Sequence, residues 1–297
     1  MARALVMLSL ALAMSGCVHY LGDAEPHVGG DVATSLTIPM RIESQTVAGV
    51  TGGAARLLVP CTIQGRSGWC QFDTGARGLT VYRCFQADGD SYGAGEYAGV
   101  SGQSRVQKGR RLAAMTIGPY RYEDLLVDYD RGHVCDRELA LIGLDLFKTR
   151  LVIDPRSLIL ADHGAKVTPT LPLESRGGAL FVPVQLGGRT LLALFDTGSW
   201  TTVVDETRVD LPGKAVNRKR YEAVDSTHTV VAVNKLVRTS LTVGGLELAD
   251  VVVGTMDLRP LAETLHRPVA MVLGMNAIAR LVWSFDQETG TWGVAVP

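Results

Sequence analysis

Asp73-Thr74-Gly75 and Asp196-Thr197-Gly198 are the residues of this 297-residue chain whose types and spacing most directly suggest chemistry. Each triplet follows a Phe. A single Asp-Thr-Gly makes a tight turn as readily as a site, with Asp capping backbone N–H groups and Gly taking positive φ. A pair brought face to face is different. Two carboxylates about 3 Å apart cannot both ionise cheaply, so one pKa rises and the two hold a proton between them. Such a pair can bind a water. The ionised Asp takes a proton from that water as it attacks a carbonyl, and the protonated Asp donates to the developing oxyanion. Thr74 and Thr197 carry short hydroxyls that can hydrogen-bond across to the opposite loop, and Gly75 and Gly198 let backbone N–H groups approach the carboxylates.

The elements that must position these residues are written twice. Val59-Pro60-Cys61-Thr62-Ile63-Gln64-Gly65-Arg66 runs without a gap into the first triplet. Val182-Pro183-Val184-Gln185-Leu186-Gly187-Gly188-Arg189 runs into the second at a constant offset of 123. Each reads as strand, two-residue turn and second strand. Thr116 to Val127 matches Thr242 to Val253 at offset 126, Leu141 to Asp145 matches Val272 to Asn276 at offset 131, and Ile42 to Ser44 matches Leu173 to Ser175 at offset 131. A drift of eight residues over four blocks in the same order is what a few loop insertions produce in one duplicated unit of about 130 residues. The blocks alternate or run apolar over short stretches rich in Val, Leu and Thr. They predict a mostly β fold, with short helical stretches after Gly143 and Gly274. The organisation expected is an N-terminal leader 1–17, a tether 18–33, and two halves, 34–165 and 166–297.

At these motifs the chain resembles an aspartic peptidase of the pepsin/retropepsin-like superfamily, in a bacterial, exported, single-chain form. The resemblance covers roughly residues 35–297 and implies a bilobal acid-protease fold of two homologous β-barrel-like halves related by a pseudo-two-fold axis. It implies Asp73 and Asp196 as the catalytic pair, Thr74, Gly75, Thr197, Gly198 and Ser199 as their supporting loops, and an extended polypeptide as substrate in the cleft of a monomer. Leu141-Ile142-Gly143 and Val272-Leu273-Gly274 match the apolar-apolar-Gly block that packs behind each catalytic loop in that family.

Two features individualise the site. Ala76 follows the first triplet and Ser199 the second. By the resemblance, a hydroxyl there donates to the outer oxygen of its own Asp. Ser199 would then hold Asp196 ionised as the base and leave Asp73 as the acid, with a less acidic optimum than when hydroxyls flank both. The glycine-rich stretch from Ser91 to Gly102 sits where the family's flap lies, and Tyr97, Gly99 and Ser101 are its candidate substrate-facing residues. A plain surface loop is the alternative. Tyr221 to His228 occupies the equivalent place in the second half.

Met1 to Cys17 reads as an export signal. Arg3 precedes an apolar run from Ala4 to Met14, too short for the roughly 20 residues of a spanning helix. Met14-Ser15-Gly16-Cys17 resembles a bacterial lipobox, which implies lipidation of Cys17 and a periplasm-facing anchor, with Val18 favouring the outer membrane. A signal peptide cut after Ala13 is the alternative. Export puts Cys61, Cys70, Cys84 and Cys135 in an oxidising compartment, where three disulfide pairings are open. Six scattered histidines show no metal spacing, so neither metal nor other cofactor is expected. Lys+Arg 29 against Asp+Glu 30 is too neutral for nucleic-acid binding. The competing reading of the whole is a non-catalytic periplasmic binding or scaffolding lipoprotein with the same fold.

Overall fold

The computed structural model describes residues 10–11, 19–21, 37–82, 84–85, 91–130, 138–147, 150–162, 167, 170–176, 178–217 and 221–297. Cys17 and Cys135 lie outside the described residues, as does most of the stretch read as leader and tether.

Each half begins its site with a hairpin. Strand Val50–Ile63 turns at Gln64-Gly65, both at positive φ, into Arg66–Asp73. Strand Ala179–Leu186 turns at Gly187-Gly188, again both at positive φ, into Arg189–Phe195. Two consecutive positive-φ residues match the right-handed twist of the flanking strands. Both catalytic-loop segments are therefore delivered at the end of a rigid hairpin strand rather than by a wandering loop.

Behind each hairpin the chain makes the same parallel and antiparallel pairings. Glu138–Gly143 lies parallel to Arg66–Asp73 and antiparallel to Leu79–Tyr82, and Tyr120–Asp130 lies parallel to Leu79–Tyr82. In the second half, Met271–Leu273 lies parallel to Arg189–Phe195 and antiparallel to Thr202–Asp205, beside which Leu246–Met256 runs parallel. Val50–Ile63 also pairs with Ser104–Ile117, and Ala179–Leu186 with Lys235–Val243, which curls each sheet towards closure. The result is the mostly β, bilobal fold of pepsin-like proteinases. The helical stretches after Gly143 and Gly274 are a 3-10 turn, Leu144–Leu146, and a single α turn, Met275–Ile278.

A third sheet belongs to both halves. Arg150–Asp154 pairs with Val282–Asp286 in the middle of a six-stranded order that also takes in Thr37–Pro39, Ile159–Ala161, Leu171–Pro172 and Thr291–Ala295. Its aromatic residues sit in one core continuous with both barrels: Phe195 stacks edge-on against Trp283 at 4.8 Å, and Trp283 lies over Trp292 at 6.0 Å. Strand alternation decides which side chains join it. In Arg66–Asp73, Cys70 and Phe72 enter the core, which turns Gln71 and Asp73 to the opposite face.

Of the three cysteine pairings open in the sequence, the structure forms Cys61–Cys70, within the first hairpin; Cys84 is also disulfide-bonded. Leu10–Ala11 and His19–Leu21 add short edge strands beside Tyr221–Val224 and Ser91–Ala98.

Candidate active site

The two Asp-Thr-Gly loops meet back to back through their threonines. Thr74 N–H donates to Thr197 Oγ1 at 2.9 Å and Thr197 N–H donates to Thr74 Oγ1 at 3.0 Å. Each hydroxyl then donates onward across the interface, Thr74 to the Phe195 carbonyl and Thr197 to the Phe72 carbonyl, both at 2.9 Å. Each hydroxyl thus accepts one bond and donates one, and all four groups are satisfied in a site with almost no solvent contact. The supporting threonines named from sequence are in contact with each other.

That interlock puts Asp73 and Asp196 together, both with no exposed surface. Gly75 N–H donates to Asp73 Oδ1 and Gly198 N–H to Asp196 Oδ1, each at 2.8 Å. Each glycine also lies against the opposite carboxylate. A Cβ on Gly198 would stand 2.1 Å from Asp73 Oδ2, so no side chain fits there. Behind the loops, Gly143 N–H donates to the Gly78 carbonyl and Leu144 N–H to that of Ala76; Met275 N–H donates to the Ser199 carbonyl. The apolar-apolar-Gly blocks do pack where their sequence match implies. Asn276 then ties the second loop across the halves, donating to the Gly53 and Val252 carbonyls and accepting from Thr202.

One expectation is corrected. The Ser199 hydroxyl does not reach Asp196; it donates to the Thr201 carbonyl at 3.0 Å, within its own turn. Only the Ser199 backbone N–H contacts Asp196, at 3.2 Å. Burial, the neighbouring Asp73 charge and a hydrogen bond from carboxyl to carboxyl raise the Asp196 pKa well above the usual carboxylate range, against a smaller opposing effect of the two backbone N–H groups. The pair therefore keeps a proton at pH values where a lone carboxylate would be ionised. The hydroxyl contact expected to hold Asp196 ionised is not made.

Ser91–Ala98 and Ser104–Ile117 form a hairpin whose turn is closed by Gly99 N–H to the Gln103 carbonyl and Gly102 N–H to that of Gly99. Tyr221–Val224 and Val230–Val233 form a second hairpin with the same pattern, Asp225 N–H to Thr229 and His228 N–H to Asp225. The two tips touch. Ser101 donates to Asp225 Oδ2 through its N–H at 3.1 Å and its hydroxyl at 2.5 Å. Thr227 and Thr229 fill the other oxygen. Gly99 packs so close to this carboxylate that a Cβ would stand 2.0 Å from it. Gly99 and Ser101 are therefore tip contacts. Tyr97 lies in the strand opposite Arg105, and its side chain is outside the described residues.

Two residues at the site were missed from sequence. Gln71 donates to the Gly198 carbonyl at 3.3 Å, and Asp225 joins the flaps. The signal for Gln71 was available in strand alternation, which places it two residues before Asp73 and on the same face. Asp225 is the repeat partner of Gly99 at offset 126, a substitution of a carboxylate for a glycine. Among the described residues no group of three or more His, Cys, Asp or Glu could hold a metal ion.

Residues 182–277 match the family model described as aspartyl protease. Solved structures similar in fold include an aspartic proteinase from Irpex lacteus, at 10% identity over 89% of this chain and 97% of that one, TM-score 0.51. Basic 7S globulin from soybean is similar at 10% identity over 88% and 94%, TM-score 0.51. Conglutin gamma, a basic 7S globulin from lupine seeds, is similar at 11% identity over 89% and 95%, TM-score 0.51. No curated protein matches the sequence.

Thr74→Val should destabilise the fold by about 2–4 kcal/mol, because it strands the Thr197 N–H and the Phe195 carbonyl in a dry interface; chemical denaturation measures it, and a loss under 1 kcal/mol would show the interlock to be dispensable. For Asp196 the sign follows from its raised folded pKa. The unfolded carboxyl ionises first as pH rises from about 4, so the protonated native state loses stability towards neutrality. Asp196→Asn should consequently gain in melting temperature over the parent between pH 3.5 and pH 7, by at least ~2–4 °C if the effect is a kcal/mol or more; an unchanged difference would contradict the assignment.

Proposed function

We propose that this chain, which has the fold of the aspartic peptidase superfamily and its family match over residues 182–277, is an endopeptidase that hydrolyses peptide bonds with a water activated by Asp73 and Asp196. The observation that carries the reading is the reciprocal threonine interlock, which brings together two carboxyls that have no exposed surface. A turn-forming role for the triplets requires no such contact between them.

In this reading Asp73 is ionised and removes a proton from the bound water, while Asp196 keeps its proton and donates it to the oxyanion of the tetrahedral intermediate. Collapse of the tetrahedral intermediate breaks the C–N bond as Asp73 gives its proton to the leaving nitrogen and Asp196 takes one back from the diol hydroxyl, so the enzyme ends as it began. Gly75 and Gly198 N–H groups hold the Oδ1 atoms and orient the remaining oxygens towards each other. The two hairpin tips would part to admit an extended peptide and close over it, which excludes water from the reacting bond.

The fold alone does not decide activity, since two of the similar structures are basic 7S globulins. That observation keeps a binding or scaffolding role as the second reading. The chain expressed without residues 1–17, tested on an unbiased peptide library from acid to neutral pH, separates the two. Cleavage is expected, with Asp73→Asn losing at least about three orders of magnitude in kcat/KM while keeping its β-rich spectrum; a well-folded parent that cleaves nothing favours the binding role.

The place of action proposed is the cell envelope, on exported or envelope proteins, through a lipid on Cys17. Palmitate should label the full chain in bacterial cells and Cys17→Ala should abolish the label; labelling that persists would remove the anchor from the proposal.

A further inference from the structure

The sheet face that carries Asp73 extends well beyond the catalytic pair. Ladder pairing joins Gln71 to Leu141, Leu141 to Thr80, and Thr80 to Asp128. Paired residues of adjacent strands share a face, so these four form one transverse row on the side away from the core. Its inner end touches the site, through the bond from Gln71 to the Gly198 carbonyl. Its outer end lies three strand spacings away, about 14 Å. Leu141 also packs with Ala76, the residue directly after the first triplet, and with Tyr82. One step along the strands from Asp128, Asp130 is met at 3.1 Å by His228 from the second flap. The row therefore runs from the catalytic loops towards the flap, where a bound peptide would lie.

The duplication provides an internal comparison. The same row in the second half is Leu194, Val272, Val203 and Gly254, by the equivalent pairings. Leu194, Val272 and Val203 belong to an apolar cluster that includes Met256 and takes in Val100 from the flap tip. Where that half has Gly254 and Met256, the first half has Asp128 and Asp130 at an offset of 126. The barrel evidently closes without a carboxylate at this position.

Asp128 is only 6% exposed, and it has no hydrogen-bond or ionic partner among the described residues. Burial alone lifts its pKa to about 6. A buried carboxylate is costly unless a cation or several donors compensate it. Asp130 already has His228, which leaves Asp128 as the charge open to a ligand.

We propose that Asp128, flanked by Thr80 and Asp130, forms an acidic subsite that takes a lysine or arginine side chain of the peptide substrate, whereas the matching position in the second half, Gly254, is closed by Val203, Val233 and Leu236. The inference rests on the peptidase reading and gives it a direction. The duplicated cleft is chemically one-sided, so a peptide can be held in only one of its two orientations.

The test uses pairs of peptides, drawn from the library, that differ only in lysine against norleucine at one position. Binding is measured by fluorescence anisotropy on the Asp73→Asn chain, and cleavage on the parent. Lysine should be preferred by about tenfold or more at one position, and Asp128→Asn should erase that preference while leaving the norleucine peptide within about threefold. Equal treatment of both peptides by the parent, or a preference that survives Asp128→Asn, overturns the subsite. If Asp128→Asn does not fold, carboxyl NMR of the intact chain replaces it. Saturating lysine peptide should move the Asp128 titration towards acid and norleucine peptide should not; no movement overturns the proposal. Lysine-selective binding without any cleavage would support the subsite and sink the peptidase reading; cleavage without selectivity would do the reverse.

Discussion

The exchange of hydrogen bonds between Thr74 and Thr197 is the constraint from which the site follows. Each threonine uses its backbone N–H on the other's hydroxyl and its hydroxyl on the carbonyl before the other's Asp. Neither loop can shift without stranding polar groups in an interface that water does not reach, and such groups cost far more unmade than they contribute made. The bonds run between halves that lie more than a hundred residues apart in the chain. The shared sheet built on Arg150–Asp154 and Val282–Asp286 reinforces the same docking from the far side.

What the interlock enforces is electrostatically unfavourable. Two carboxyls are held against each other with no solvent around either, so full ionisation is suppressed and a proton is retained. The asymmetry of that proton is decided by the surroundings rather than by the triplets, which are identical. A Ser199 hydroxyl turned back on its own loop leaves Asp196 without the donor that would have favoured its charge. The two acids act as one titrating unit, and its polarity comes from the few atoms by which the two loops differ.

Those differences extend outward. The halves share pairings, turns and flap geometry, yet they diverge at particular positions of the cleft face. Gly99 in one flap corresponds to Asp225 in the other, and the two fit because glycine leaves room for the carboxylate. Gly254 in one floor corresponds to Asp128 in the other. The core faces of the same strands stay closer: Val81 and Val127 pack into the shared core as Val204 and Val253 do, although Leu79 is matched by Thr202, which bonds Asn276. Core positions are constrained by packing density in both copies. Cleft positions are free of that constraint and can carry polarity.

The repeat offsets, the two Phe-Asp-Thr-Gly segments, the hairpin turns at Gln64-Gly65 and Gly187-Gly188, and the helical turns after Gly143 and Gly274 were all legible in the chain, because each depends on local backbone preference and on a pattern written twice. The bilobal fold and the identity of the candidate site residues followed from them. The direction of the Ser199 hydroxyl was not legible, since a serine in a tight turn can bond either its neighbour's carboxylate or its own backbone, and only the placement of Thr201 selects between them. The pairing of Cys61 with Cys70, the Gln71 contact, the meeting of Ser101 with Asp225 and the row ending in Asp128 depend likewise on strand register across the sheet and on how two halves dock. By itself the sequence determined that two carboxylate loops of one design exist; tertiary structure decided how they face each other and that the pair holds on to a proton, because desolvation and hydrogen bonding are properties of the assembled surroundings and not of the residues alone.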